Sequence, residues 1–283
     1  MPPARRSLIG SHLSVAGGLA RCLPRVDRVG AEVVQLFVAN PRAWAPPPLD
    51  AAADEQFRLS CEGRPVPVFV HAPYLINFGS PTEQTLARSA EALEFSLRRG
   101  AAIGAKGVVM HAGSAVLGIA RDAALRQVRA QVLRVLDTVG DGPRVLIEPT
   151  AGGGNALASD AASLGAYLDV LGRDERIGVC LDTCHLHAAG HDLSTEQSFG
   201  AALRAFGRAA GDGAIGLVHV NDSRDPAGSK RDRHAAIGAG TIGREPFAAL
   251  FSSPVTRGVP LVVESTDEDH AADICALKQL RGD

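Results

Sequence analysis

Val145-Leu146-Ile147-Glu148 is a short apolar run that ends abruptly in a carboxylate, and the chain repeats this pattern. Val68-Phe69-Val70 runs into His71, Val108-Val109-Met110 into His111, and Val179-Cys180-Leu181 into Asp182. Leu217-Val218 runs into His219, and Leu261-Val262-Val263 into Glu264. Runs this short, rich in β-branched residues and bounded by Gly, Pro or polar residues, read as buried parallel strands. The candidate strands are Leu8–Leu13, Val33–Val38, Val66–Val70, Gly107–Met110, Val145–Ile147, Gly178–Leu181, Leu217–Val220 and Leu261–Val263. Between them lie amphipathic segments that read as helices, among them Glu83–Arg99, Ala120–Val139 and Ala156–Leu171. The first opens with Ser80-Pro81-Thr82-Glu83, a capped helix start.

Eight strands separated by helices in 283 residues fit a (β/α)8 TIM barrel in count and length. An open doubly wound sheet shows similar alternation. No Gly-x-Gly-x-x-Gly follows the first strand, however, and Gly17-Gly18 alone is a weak signal. The strand ends favour the barrel, because there the C-terminal ends converge on the one face where active sites are built. No Pro/Gly/Ser-rich linker or charge block divides the chain, so residues 1–283 are expected to form a single catalytic domain.

Aromatic residues make up only 4% of the chain, so the core must be built from Val, Leu, Ile and Ala. The formal net charge of -2 gives no overall basic signature for nucleic acid, and any DNA contact has to be a local patch. No apolar run is long enough to span a bilayer. The stretch after the two arginines of Met1–Arg6 is broken by Gly10, Ser11 and His12, too soon for a signal-peptide core. Five widely spread cysteines suit a reduced protein better than a disulfide framework, and a cytoplasmic location is expected.

The six strand ends supply imidazole nitrogens and carboxylate oxygens, the donors that a hard or borderline divalent cation takes. Any one of them alone would more often be a hydrogen-bonded loop histidine or a helix-capping acid. Six at one phase of the strand pattern make a cluster, and without a cation that cluster would carry a large desolvation cost. Three further candidates lie nearby. His185 follows Asp182 by three residues, and Asp232-Arg233-His234 aims its outer side chains at one ion if the loop runs extended and turns Arg233 away. The nine residues are five histidines and four carboxylates, too many for one ion and enough for two or three.

Six longer stretches then stand out. They are Gly10-Ser11-His12-Leu13-Ser14-Val15-Ala16-Gly17-Gly18-Leu19, Asn40-Pro41-Arg42-Ala43-Trp44 and His71-Ala72-Pro73-Tyr74-Leu75-Ile76-Asn77. With them come Asp182-Thr183-Cys184-His185-Leu186-His187-Ala188-Ala189-Gly190-His191-Asp192, His219-Val220-Asn221-Asp222-Ser223 and Asp232-Arg233-His234-Ala235-Ala236-Ile237-Gly238. Together they resemble the motifs of the endonuclease IV family of zinc-dependent apurinic/apyrimidinic endonucleases, over nearly the whole chain. Departures at Ala72-Pro73, Ala112 and Pro149 fall on no ligand position and bear on the detail of DNA contact.

The resemblance implies a DNA-repair endonuclease that cuts the phosphodiester bond 5′ to an abasic site, leaving a 3′-hydroxyl and a 5′ deoxyribose phosphate. It also implies removal of 3′-blocking groups. By resemblance His71, His111 and Glu148 hold one zinc, and Glu148 bridges to a second held by Asp182, His219 and Glu264. His185, Asp232 and His234 hold the third. Glu148 and Glu264 are also candidates for proton handling. Three Zn2+ would turn the formal charge of -2 into about +4, so the loaded face meets DNA as a cation.

Arg224, Lys230, Arg231 and Arg233 crowd the loop around Asp232 and could add phosphate contacts, or be an ordinary solvated loop. Arg42, Tyr74 and Leu75 match family positions that enter the duplex. Without the family, Tyr74 and Leu75 would read as buried loop residues. Ser14, Thr150 and the glycines at 152–154 are candidate phosphate neighbours, whereas Trp44, Cys180 and Cys184 read as packing residues. The expected partner is double-stranded DNA with abasic sites or blocked 3′ ends, bound by a monomer with no membrane. Two rivals remain open. A metal-dependent sugar isomerase or epimerase on the same barrel would have no use for a third triad. A damage-binding protein that has lost catalysis would lack a ligand, and none is missing.

Overall fold

In the computed structural model, which describes residues 6–283, the eight expected strands pair in parallel around a closed ring. They are β1 (Ile9–His12), β2 (Val34–Phe37), β3 (Val68–His71), β4 (Gly107–His111), β5 (Arg144–Glu148), β6 (Ile177–Asp182), β7 (Ile215–His219) and β10 (Leu261–Val263). The intervening β8 (Asp222–Ser223) and β9 (His234–Ala235) form a separate two-stranded ribbon. Ile9 lies opposite Leu261 and His12 opposite Gln35, so the first strand pairs on both sides and no edge is left. That pairing decides between the closed barrel and the open sheet. Residues 1–5, most of the basic start at Met1–Arg6, lie outside the described residues. No helix among the described residues is long and apolar enough to cross a membrane.

Helices α1 (Cys22–Val29), α2 (Ala51–Glu62), α3 (Glu83–Ala102), α4 (Arg121–Val139) and α5 (Ala161–Val170) follow β1 to β5 in turn. They are followed by α6 (Thr183–Ala189), α7 (Glu196–Ala210), α8 (Ala249–Ser252) and α9 (His270–Arg281). The helical spacing of Leu125, Val128, Val132 and Val135 is the buried stripe of α4. Thr82 occupies the cap position of α3, but its hydroxyl bonds to that of Thr85 at 2.7 Å rather than to a backbone N–H.

The helix expected from Ala156 starts five residues later. Asp160 caps it, accepting from Ser163 N at 2.8 Å, while Ser163 Oγ accepts from Asp160 N at 3.1 Å. Leu157 and Ala158 are apolar for another reason. Leu157 N donates to Gly113 O at 2.9 Å and Thr150 N to Ala158 O at 3.0 Å, holding this segment extended over the top of the barrel.

Inside the barrel each strand presents alternate residues, and the sequence uses that alternation to build two layers. Val33, Phe69, Val109, Leu146, Cys180, Leu217 and Val262 form a buried apolar cluster of their own. Leu146 sits where Gly107 and Gly178 make room, since a Cβ on either would come within 2.8 Å of it. Two residues further along each strand the same side carries Gln35, His71, His111, Glu148, Asp182, His219 and Glu264, and His12 stands in the same phase on β1. The apolar layer is thus the floor on which the polar ring stands.

The barrel seam is clasped from outside by Glu32. Its carboxylate accepts from Ile9 N at 2.9 Å and from Arg281 of α9 at 2.7 and 3.0 Å. Burial works to raise the Glu32 carboxyl, but the hydrogen bonds from Arg281 and Ile9 outweigh it and hold it at about 2. A depressed carboxyl stabilises the fold fully above its ordinary value near 4.5, and that contribution fades as pH falls towards 2. Glu32→Gln should therefore lower the midpoint of urea unfolding at pH 7, with the gap to the wild type closing as the pH is lowered through 4. An equal gap at pH 7 and pH 3 would show that the ion pair is not its source.

Candidate metal centre

Glu148 ends β5 at the middle of the polar ring, with only 1% of its surface exposed. His71 Nε2 lies 3.3 Å and His111 Nε2 3.4 Å from its Oε2, which is buried without a hydrogen-bond donor among the described residues. On its other oxygen, His219 Nδ1 lies at 3.0 Å and His185 Nδ1 at 3.3 Å. Backbone carbonyls settle which ring nitrogens are bare. His71 Nδ1 donates to Ala72 O at 2.7 Å and His185 Nδ1 to Pro149 O at 3.1 Å, because a carbonyl can only accept. In the neutral ring this leaves Nε2 of each as a lone pair. For His71 that lone pair faces a carboxylate oxygen across 3.3 Å, an arrangement that repels unless a positive charge lies between.

Three separate triads bring their donor atoms within 4.8 Å of one another: His71, His111 and Glu148; Asp182, His219 and Glu264; and His185, Asp232 and His234. All nine residues marked in the sequence therefore converge. The acids pull protons onto the imidazoles when nothing else supplies charge. Burial acts to lower His234, yet Asp182 and Asp232 outweigh it and raise it to about 9. His185 is raised in the same way, against its burial, by Asp182 and Asp232. Asp182 also caps α6, accepting from His185 N at 2.8 Å, so one residue serves the ring and aims the neighbouring triad. Cys184 lies near Asp182 and His234, but burial lifts its thiol to about 12, which keeps it a neutral packing group.

The third triad depends on the β8–β9 hairpin. Asp222 is fully buried and its carboxylate accepts five backbone N–H groups: Ser223 and Ile242 on Oδ1, Gly238, Gly240 and Gly243 on Oδ2, at 2.7 to 3.2 Å. It gathers the loop after His234 around one point. Arg233 turns away from the site, as the extended Asp-x-His reading requires, and donates to buried Asp225 through Nε at 2.6 Å. Arg231 reaches the same carboxylate at 3.5 Å and Arg224 donates to His234 O at 2.9 Å. Of the four basic residues, only exposed Lys230 lines the cleft beside Asp232.

Two clefts open over the triads. A larger one, about 840 Å³, is lined by His12, Ser14, Phe37, Asn40, Tyr74, His234 and Glu264, among others. A smaller one, about 360 Å³, is lined by His111, Thr150, Gly153, His185, Lys230 and Asp232, with Tyr74 again on its wall. Tyr74 is thus the divide between them, 45% exposed, its ring stacked on His111 with centroids 5.5 Å apart. Its N–H donates to Pro41 O at 3.1 Å, which brings the exposed Arg42 loop alongside. Leu75 is half-buried and lines neither cleft, and Trp44 packs against the core. His12 and Gln35 complete the ring, two members that the strand-end pattern of His, Asp and Glu does not single out. Their signal was the phase shared with the other six, two residues after an inward apolar or glycine position.

Residues 23–280 match the family described as xylose isomerase-like TIM barrel. The chain is 50% identical over 281 residues to the probable endonuclease 4 of Streptomyces coelicolor, covering 98% of this chain and 96% of that one. The solved endonuclease IV of Thermus thermophilus superposes with a TM-score of 0.85 at 31% identity, over 96% of this chain and 98% of its own. An L-ribulose 3-epimerase superposes with a TM-score of 0.71 at 20% identity, over 97% and 94%, a likeness of fold alone.

The hairpin carries a test independent of any ligand. A Cβ on Gly240 would lie 2.3 Å from Ser223 O and 2.4 Å from Asp222 Oδ1, both fixed groups. Gly240→Ala should cost about 1–3 kcal/mol in urea unfolding and raise hydrogen exchange at the amides of 238–243. Unchanged exchange there would mean that the carboxylate does not organise the loop.

Proposed function

Because the chain belongs to the endonuclease 4 family of xylose isomerase-like TIM barrels, we propose that it hydrolyses the DNA backbone 5′ to abasic sites, leaving a 3′-hydroxyl and a 5′ deoxyribose phosphate. It is a hydrolase, an endonuclease of DNA repair. The observation that carries the finer reading is the presence of three separate His/Asp/Glu triads around one buried carboxylate. A sugar isomerase would need fewer, and its solved relatives share only the fold. The proposed cofactor is three zinc ions: one at His71, His111 and Glu148, one at Asp182, His219 and Glu264 with Glu148 shared, and one at His185, Asp232 and His234. Every ligand comes from one chain, which suits a monomer acting as one catalytic domain, and five free cysteines suit the cytoplasm.

Zinc supplies the Lewis-acid charge that phosphodiester hydrolysis needs near neutral pH. The chain's own residues divide the remaining work by exposure. Glu148 is sealed from solvent and holds, whereas Glu264, with 13% of its side chain exposed, reaches the wall of the larger cleft, where a water or a substrate can meet it. Asn221 Nδ2 steadies Glu264 Oε2 at 3.2 Å and Asp182 Oδ2 at 2.7 Å. Lys230, on the wall of the smaller cleft, would meet a phosphate. Tyr74 and Arg42 stand on the rim, where a side chain can fill the gap left by a missing base, and local unstacking is cheapest at such a lesion. Leu75 would act with them. Removal of 3′-blocking groups draws on the same centre.

Three tests check this. Protein prepared without chelator should contain about three zinc ions by elemental analysis and cleave an end-labelled abasic duplex; chelator should stop cleavage. Glu148→Gln should lose most of the activity while its circular dichroism is retained, and a single ion per chain would favour the isomerase. Tyr74→Ala should weaken abasic cleavage by about five- to a hundred-fold, since a stacked group contributes roughly 1–3 kcal/mol. It should impair 3′-end cleaning less, because a frayed end needs less prying open, and half-buried Leu75→Ala should show a smaller split. Equal losses on both substrates would return Tyr74 to a packing role.

A further inference from the structure

Gln35 is a neutral amide, fully buried, in a ring otherwise made of imidazoles and carboxylates. Its side chain is shared three ways. Oε1 lies 2.8 Å from His219 Nε2, while Nε2 lies 2.8 Å from Glu264 Oε1 and 2.9 Å from His12 Nδ1. The amide has one workable orientation, since turning it over would set its oxygen against the Glu264 carboxylate. Facing an oxygen, His219 Nε2 must carry the proton. Its Nδ1 is then the bare nitrogen, directed at Glu148 Oε1 and, across 3.3 Å, at Glu264 Oε2.

We infer that Gln35 is a positioning residue of the metal centre, fixing the tautomer of His219 and the direction of Glu264 so that both present lone pairs to the same cation. The inference rests on the metal reading given above. Gln35 offers that cation nothing directly, because both ends of its amide are already engaged. His12 receives the second amide hydrogen on Nδ1, which leaves its own Nε2 as the protonated nitrogen. One amide thus orders three neighbours at the foot of the larger cleft.

The test uses the zinc-loaded protein with Gln35→Leu and Gln35→Glu, reading zinc release to a chromophoric chelator and the long-range proton–nitrogen spectrum of the histidines. In the wild type, the ring signal missing from a His219→Gln protein should show its proton on Nε2. Gln35→Leu keeps the volume but neither polar end, and should release one zinc about ten- to a hundred-fold faster, the usual effect of removing a partner that orients a ligand. Gln35→Glu retains an acceptor for His219 and should keep the Nε2–H form, yet it sets a carboxylate against Glu264 and should also release zinc faster. A wild-type His219 protonated on Nδ1 would overturn the inference even if a variant failed to fold. Zinc held by the leucine variant as firmly as by the wild type would sink this inference alone, whereas wild-type protein that takes up no zinc would sink the metal reading beneath it.

Discussion

A carboxylate taken out of water must be met by positive charge or by hydrogen-bond donors, at a cost of several kcal/mol if it is not. Glu148 is buried at the centre of a barrel whose surrounding imidazoles have been oriented by Ala72 O, Pro149 O and Gln35 to turn bare nitrogens inward. The neighbouring acids Asp182 and Glu264 deepen the deficit. Everything above the apolar floor can be understood as a response to it: which nitrogen of each ring is protonated, why Asn221 bridges two carboxylates, and why a loop is folded back to bring in another imidazole. The floor matters equally. Leu146 plugs the barrel directly below Glu148 and denies it water from beneath, so compensation can arrive only from the open face.

Much of this was legible in the sequence because β-strand alternation and the barrel's closure act at the same phase on every strand. An apolar residue followed two positions later by His, Asp or Glu, on six strands, can be read without coordinates. His12 and Gln35 obey the same rule but are easily passed over. Glutamine is not a metal donor by habit, and His12 sits in a glycine-rich stretch where the alternation is hard to see. The start of α5 escapes the sequence for the opposite reason. Leu157 and Ala158 continue the apolar spacing of the helix, but they are buried by strand-like bonds to the loops after β4 and β5. Local periodicity cannot distinguish these two ways of becoming buried.

The rim is less legible than the floor. Basic residues near Asp232 look alike in sequence, yet Asp225 engages Arg231 and Arg233 and His234 O engages Arg224, leaving Lys230 facing the cleft. Nothing in the spacing of Asp225 announces this role. Tyr74 and Leu75 are adjacent and bulky, but one divides the two clefts and the other tucks into the loop. Such distinctions arise from how loops pack on one another, and loops carry no periodicity to read.

The hairpin that carries His234 has a consequence for how the protein can be altered. Asp222 binds the amides of residues 238, 240, 242 and 243 at one carboxylate, so the segment from His234 to Gly243 has a length fixed residue by residue. One residue more or fewer would shift every later donor off its oxygen, much as a frameshift displaces every later codon. The tip at Pro226 and Ala227 is exposed and free of that count. A label on the exposed Ala227 side chain leaves that count unchanged, whereas an added residue between His234 and Gly243 does not, although the two lie in one continuous loop.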